Sequence, residues 1–299
     1  ILQRKLEALG QNGTLIRKDG KTFLQLDCEN AKELSMKWGE KLYPFTKTGK
    51  KWILELPFST AVNYVQICVD GQEVLSPDLP IAHGYCRPYN YIELPDEEGL
   101  FELRDVPHGT LTREFYKSQI SDNWEKLIVY LPPCVPSAGL PVLYLQHGFG
   151  ESEISWSTTG KVNFLMDNLI AAGKIKPFAI VMGNGMVKQR IDGELKLNRA
   201  LYGQMLVEEI IPMIEKKYQF GGSKEKRGMA GLSMGSVQTT RTICAHPELF
   251  SEVGIFSGFL RDRIVGDEEH DGIVPKSGGQ SYLKAMDDAA FNTYFHTFF

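Results

Sequence analysis

The chain has 299 residues, 42% of them hydrophobic and 23% charged, with a formal net charge of −4. That length exceeds one small domain and suits two of unequal size. The slight negative balance excludes a nucleic-acid surface built on basic patches, and no apolar stretch approaches the ~20 residues that span a bilayer. The five cysteines, Cys28, Cys68, Cys86, Cys134 and Cys244, are scattered and form no CxxC pair. A zinc site or disulfide scaffold is therefore not expected, and no metal or organic cofactor is implied. The chain begins at Ile1, so a cytoplasmic and a secreted bacterial protein both stand as expectations.

Residues 1–105 read as a small all-β sandwich. "TFLQLDC" and "KWILELPF" have strand length, and "NYVQICVDGQEVL" holds two strand-like runs joined at Asp70-Gly71, a hairpin signal. Pro77, Pro80 and Pro88 are expected to interrupt regular structure. Trp52, alone in a strand, reads as a core residue rather than a sugar platform.

From about residue 106 to 299 the pattern changes. "EKLIVYLPP", "PVLYLQHG", "KPFAIVMGNG" and "EVGIFSG" are short apolar runs ended by Pro or Gly. Between them lie the amphipathic stretches "VNFLMDNLIAAG" and "YGQMLVEEIIPMIEKKY". This alternation predicts a mostly parallel sheet with helices on both faces, whose ligands sit beyond the carboxyl ends of the strands.

Within "KRGMAGLSMGSVQT", Ser233 stands between Gly231 and Gly235, after a strand-like "RGMAG" and before a helical run. A strand-to-helix turn of this kind lifts a serine oxygen to the top of the sheet and places it at a helix N-terminus, which favours developing negative charge. Ser233 is thus the candidate nucleophile. Its oxyanion donors are expected to be the backbone N–H of Met234 and one from "QHGFGE". Phe149 is the first choice for the latter, because glycines on both sides free its peptide, and Gly148 is second.

"LYLQHGFGESEISW", "MAGLSMGSVQTT" and "HPELFSEVGIFSG" together resemble the esterase D group of α/β-hydrolases over residues 106–299. Within that group the pattern is most similar to the first family of carbohydrate esterases, the feruloyl and acetylxylan esterases. Ser236 departs from it, standing where the family usually has another glycine. The N-terminal part resembles the early-set, immunoglobulin-like β-sandwich that precedes such esterases and glucan-branching-type enzymes. The resemblance implies a serine ester hydrolase forming an acyl-enzyme on Ser233, with a small-molecule or polysaccharide ester substrate: feruloyl or acetyl esters of plant-wall polysaccharide. Neither nucleic acid nor membrane is an expected partner. Two rivals stand beside this reading: a siderophore-trilactone esterase of enterochelin type, and a catalytically dead carbohydrate-binding homologue.

A serine nucleophile needs a base and an acid that orients it. The resemblance places both after the strand "YFHTFF", so the triad acid and His are expected beyond Phe299 rather than in this chain. A longer protein, completion by another chain or a homo-oligomer would each supply them. Among the histidines here, His246 lies at the foot of the nucleophile helix, His296 within a strand, and His270 on a polar loop with Asp267 and Asp271. His147 reads as holding the oxyanion loop. Residues 154–160 and 190–200 are expected to line the pocket. Lys188, Arg190, Lys196 and Arg199 are the cations that a catecholate substrate would call on.

Overall fold

The computed structural model describes residues 14–94, 98–258 and 297–298, the last two by their backbone alone. The described residues divide into two compact units between Glu102 and Leu103.

The first unit is all β. One sheet has the order β1 (Leu15–Lys18), β2 (Lys21–Asp27), β6 (Lys51–Glu55), β5 (Thr46–Thr48). The other runs β4 (Lys41–Pro44), β3 (Leu34–Trp38), β7 (Ala61–Val69), β10 (Arg87–Leu94), β9 (Ile81–Gly84), with β8 (Gln72–Val74) also paired to β7. Alternate residues of the strands turn inward, so Leu24, Leu26, Trp52 and Leu54 share a core with Met36, Val65, Ile67 and Ile92. Trp52 is 5% exposed and its Nε1 donates to the Cys28 carbonyl, which leaves its face to packing rather than to a sugar. Asp70 and Gly71 both take positive φ, 49° and 79°, and join Val69 to Gln72 as a two-residue hairpin turn.

Pro88 corrects an expectation, for it lies inside β10. The Tyr91 N–H faces the β9 side, donating to Pro80, so the nitrogen of residue 88 faces the β7 side by alternation. The ladder to β7 begins only at Asn90, and the missing N–H removes no bond.

The second unit is built on a seven-stranded sheet. Its order is β11 (Thr110–Lys117), β12 (Trp124–Leu131), β14 (Ala179–Gly183), β13 (Val142–Gln146), β17 (Arg227–Leu232), β18 (Glu252–Phe256), β19 (Thr297–Phe298). From β14 to β19 every pairing is parallel, while β11 and β12 extend the sheet antiparallel. The sheet is therefore mixed, not simply parallel, because the chain enters through a hairpin before its first crossover. The remaining strands, β15 (Lys188–Ile191) and β16 (Glu194–Leu197), form a separate hairpin.

Among the described residues, five α-helical segments accompany these strands: α1 (Ser155–Thr158), α2 (Val162–Ala171), α3 (Leu201–Met205), α4 (Ile211–Tyr218) and α5 (Met234–Ala245). The stretch expected as one helix over 202–218 is α3 and α4 joined by a π-helical turn, Leu206–Ile210. Pro212 explains it: proline lacks an N–H and its ring clashes with the carbonyl four residues back, so the ladder widens before it. Side chains alternate across the sheet into two cores. Leu127, Val129, Tyr144, Val181 and Met229 pack with Tyr202, Ile210, Ile214 and Ile243. Ile128, Tyr130, Leu145, Ile180 and Ala230 pack with Val162 and Met166 of α2.

Candidate active site

The serine sits where β17 ends and α5 begins. Ser233 has φ 53° and ψ −111°, a backbone state that non-glycine residues rarely adopt. The turn is held on the strand side by the Ser233 N–H, which donates to the Phe256 carbonyl at 2.9 Å. On the helix side the Ser233 carbonyl accepts from the N–H groups of Ser236 and Val237 and from the Ser236 hydroxyl at 2.6 Å. Ser236 thus adds a bond that glycine could not make at that position.

The two flanking glycines are there for steric reasons. A Cβ on Gly231 would lie 2.2 Å from the Gly235 carbonyl oxygen, and one on Gly235 would lie 2.7 Å from the carbonyl oxygens of both Gln146 and His147. The elbow is therefore packed backbone to backbone on the end of β13. Parallel register puts Gln146 level with Gly231, so the loop after β13 and the turn after β17 rise from the sheet together.

In that loop the two candidate donors differ. The Gly148 N–H already donates to the Glu151 carboxylate at 2.8 Å. The Phe149 N–H has no acceptor among the described residues. Met234 is the first residue of α5, where a backbone N–H has no partner within the helix. Aromatic side chains stand close by. The Phe256 ring, 43% exposed, meets Trp156 edge to face at 6.4 Å. Trp156 Nε1 donates to the Gln146 carbonyl, and the Phe149 ring, 38% exposed, lies 4.9 Å from the Arg199 guanidinium.

Three of the described histidines have partners away from the Ser233 turn. His147 is 1% exposed; its Nε2 accepts from the Gly185 N–H and its Nδ1 faces the Gly148 carbonyl. Burial pushes its pKa below the ordinary imidazole value, so the ring is neutral. His246 caps the far end of α5 beside Glu248, His108 pairs with Asp167, and His83 belongs to the first unit. No side chain among the described residues hydrogen-bonds to the Ser233 hydroxyl. His270, His296, Asp267 and Asp271 lie outside the described residues.

The segment 154–160, expected as a loop, contains the short helix α1. The segment 190–200 is largely the exposed β15–β16 hairpin, in which Arg190 bonds the Gly193 carbonyl and Lys196 pairs with Glu194. Of its cations, Arg199 meets a side chain of the loop after β13, the ring of Phe149. Among the described residues, no group of three or more His, Cys, Asp or Glu side chains could hold a metal, and no helix is long and apolar enough to cross a membrane.

A family model described as esterase matches residues 118–296, more than half of the chain. The chain belongs to this esterase family. A curated relative, the endo-1,4-beta-xylanase/feruloyl esterase of Xylanibacter ruminicola, is 31% identical over 264 residues, 83% of this chain. The chain spans 36% of that relative's length. A solved ferulic acid esterase is 26% identical with a TM-score of 0.51, over 63% of this chain and 75% of that one. The enterobactin esterase of Shigella flexneri, solved in the presence of enterobactin, is 10% identical with a TM-score of 0.62, over 98% of this chain and 92% of that one. That likeness is one of fold, and it runs through both units.

Proposed function

We propose that this esterase has an α/β-hydrolase domain behind an immunoglobulin-like early-set sandwich, the division falling near residue 105, and that it hydrolyses feruloyl or acetyl esters of plant-wall polysaccharide. The observation that carries the reading is the strained backbone of Ser233 at the strand-to-helix turn. Strain of this kind survives where it serves a reaction, and a protein that only binds carbohydrate gains nothing from it. Ser233 attacks the ester carbonyl once a base has taken its proton, and the alcohol leaves with a proton returned to it. Water then releases the acid from the acyl-enzyme. The N–H groups of Phe149 and Met234 receive the oxyanion, helped by the N-terminus of α5. The base and its acid lie outside the described residues.

Phe256, Trp156 and Phe149 suit an aromatic acyl group, which favours feruloyl over acetyl. The relative's name, which joins xylanase and feruloyl esterase, supports the same substrate class. A siderophore esterase is the second reading, favoured by a fold likeness that covers both units. Its anionic catecholates would need a basic pocket, and two of the four cations in residues 188–199, Arg190 and Lys196, bond within their own hairpin.

The test is hydrolysis of methyl ferulate, acetylated xylan and a catecholate trilactone by the chain and by Ser233→Ala. Ferulate release lost in the variant supports the reading. Trilactone cleavage in preference to ferulate supports the second, and turnover that survives Ser233→Ala rejects both.

A further inference from the structure

One polar side chain of the nucleophile helix, Gln238, is buried. Gln238 in α5 donates through Nε2 to the Gly185 carbonyl at 2.9 Å and to the Arg199 carbonyl at 3.0 Å. Both acceptors lead to the peptide between Gly148 and Phe149.

On one branch, the Gly185 N–H donates to His147 Nε2 at 3.0 Å. A nitrogen that accepts a hydrogen bond carries no proton, so the proton of the neutral ring is on Nδ1. Nδ1–H then donates to the Gly148 carbonyl at 2.8 Å. That carbonyl and the Phe149 N–H belong to one planar trans unit. Holding the oxygen on the His147 side turns the N–H to the opposite side. A carbonyl engaged in this way also polarises its own N–H into a stronger donor. On the other branch, the Arg199 guanidinium stacks on the ring of the same Phe149. Gly185 is confined between the two elements: a Cβ there would lie 2.2 Å from Gln146 Nε2 and 2.4 Å from Gln238 Oε1. Gln146 belongs to the oxyanion strand and Gln238 to the nucleophile helix, so the Gly185 peptide is the piece through which one registers on the other.

We infer that Gln238 is a positioning residue of the oxyanion site. It sets Gly185 and Arg199, and through them the His147 tautomer and the orientation of the Gly148–Phe149 peptide. The inference rests on the reading of the Phe149 N–H as an oxyanion donor, but its structural half is measurable without any turnover.

The experiment uses the 299-residue chain. Long-range proton–nitrogen NMR of His147 is expected to show the proton on Nδ1. Gln238→Leu keeps the bulk and loses both donors, so the spectrum becomes a mixture of tautomers. Amide exchange in the peptides covering 147–150 and 184–186 rises by about tenfold or more, with β2 and β6 unchanged. If the leucine variant does not fold, Gln238→Asn carries the same expectation, since it withdraws the amide by one methylene. A proton on Nε2 in the wild type overturns the inference, as does a folded variant with wild-type exchange in both peptides. In a protein that also carries the triad acid and His, Gln238→Leu lowers kcat on methyl ferulate by about 10²-fold and leaves KM within about twofold. Turnover that persists in Ser233→Ala removes the functional reading and leaves the exchange data to judge Gln238. Turnover that depends on Ser233 but keeps its kcat in Gln238→Leu overturns the role of Gln238 alone.

Discussion

Replacing Ser233, the proposed nucleophile, by glycine makes the second unit more stable. Ser233 holds φ 53° and ψ −111°, and a non-glycine residue in so sparsely populated a region costs of order 1–3 kcal/mol. Glycine removes that cost, while its freer unfolded chain takes back about 0.4–1 kcal/mol. The lost hydroxyl subtracts little, because it has no hydrogen-bond partner among the described residues. The net gain is about 1–2 kcal/mol. At roughly 2–4 °C per kcal/mol for a unit of this size, Tm rises by about 2–8 °C. Ser233→Ala is the control: it also lacks the hydroxyl but keeps the Cβ and therefore the strain, so its Tm stays near that of the wild type. Differential scanning calorimetry of the three proteins in one buffer isolates the backbone contribution. If Ser233→Gly melts no higher than Ser233→Ala, the elbow stores no strain and the reasoning from its dihedral angles fails.

Three further perturbations test other parts of the second unit. Gly235→Ala drives a methyl into two backbone carbonyls at 2.7 Å; no rotamer relieves this, so the variant loses about 2–4 kcal/mol in urea titration, and a loss below about 0.5 kcal/mol contradicts the packing described. Glu215 bonds Arg227 through both carboxylate oxygens at 2.6 and 2.7 Å and also accepts from Tyr144 and Gly222. Glu215→Ala leaves a largely buried guanidinium unpaired and lowers stability by about 3–5 kcal/mol, a figure that thermal and urea unfolding of the variant check together. The Glu125 carboxyl has its pKa raised by burial first, with Glu209 and Glu153 adding to the rise and the Ser121 hydroxyl opposing it. Its protonated form is the one the fold favours, so its contribution is present at acid pH and is lost as pH rises through the raised folded value. Glu125→Gln stays neutral throughout, so its Tm advantage over wild type grows as pH rises from the ordinary carboxylate range through the raised folded value. An advantage that shrinks with pH would show that the carboxylate is the favoured form.

The features that were legible in the sequence share a local cause. Asp70-Gly71 announces its turn because a two-residue hairpin needs positive φ at both positions, and Gly231-x-Ser233-x-Gly235 announces the elbow because both glycines face backbone. The features missed lack that signal or lie across the chain. β11, "TLTREFYK", is largely exposed and shows no apolar period, so nothing marks it as a strand until β12 pairs with it. The β15–β16 hairpin carries the same signal, for Asp192-Gly193 repeats Asp70-Gly71 with φ of 52° and 83°, but its exposed, charged strands have no apolar period to frame the turn. The π turn follows from Pro212, a residue usually read as a helix break rather than as a change of register. Gln238, Gly185 and His147 are separated by tens of residues, and no local pattern tells that a glutamine one turn into α5 reaches the loop after β14.

The ion pair of Glu215 with Arg227 fastens the first residue of β17, whereas Ser233 follows its last. About six residues of strand, close to 20 Å, separate the fastening from the Ser233 turn. The turn is therefore carried like the tip of a beam clamped at its other end. The exposed Lys188–Leu197 hairpin is remote from that clamp, so its residues can be exchanged or randomised while the Glu215–Arg227 pair and the core beneath it stay as they are.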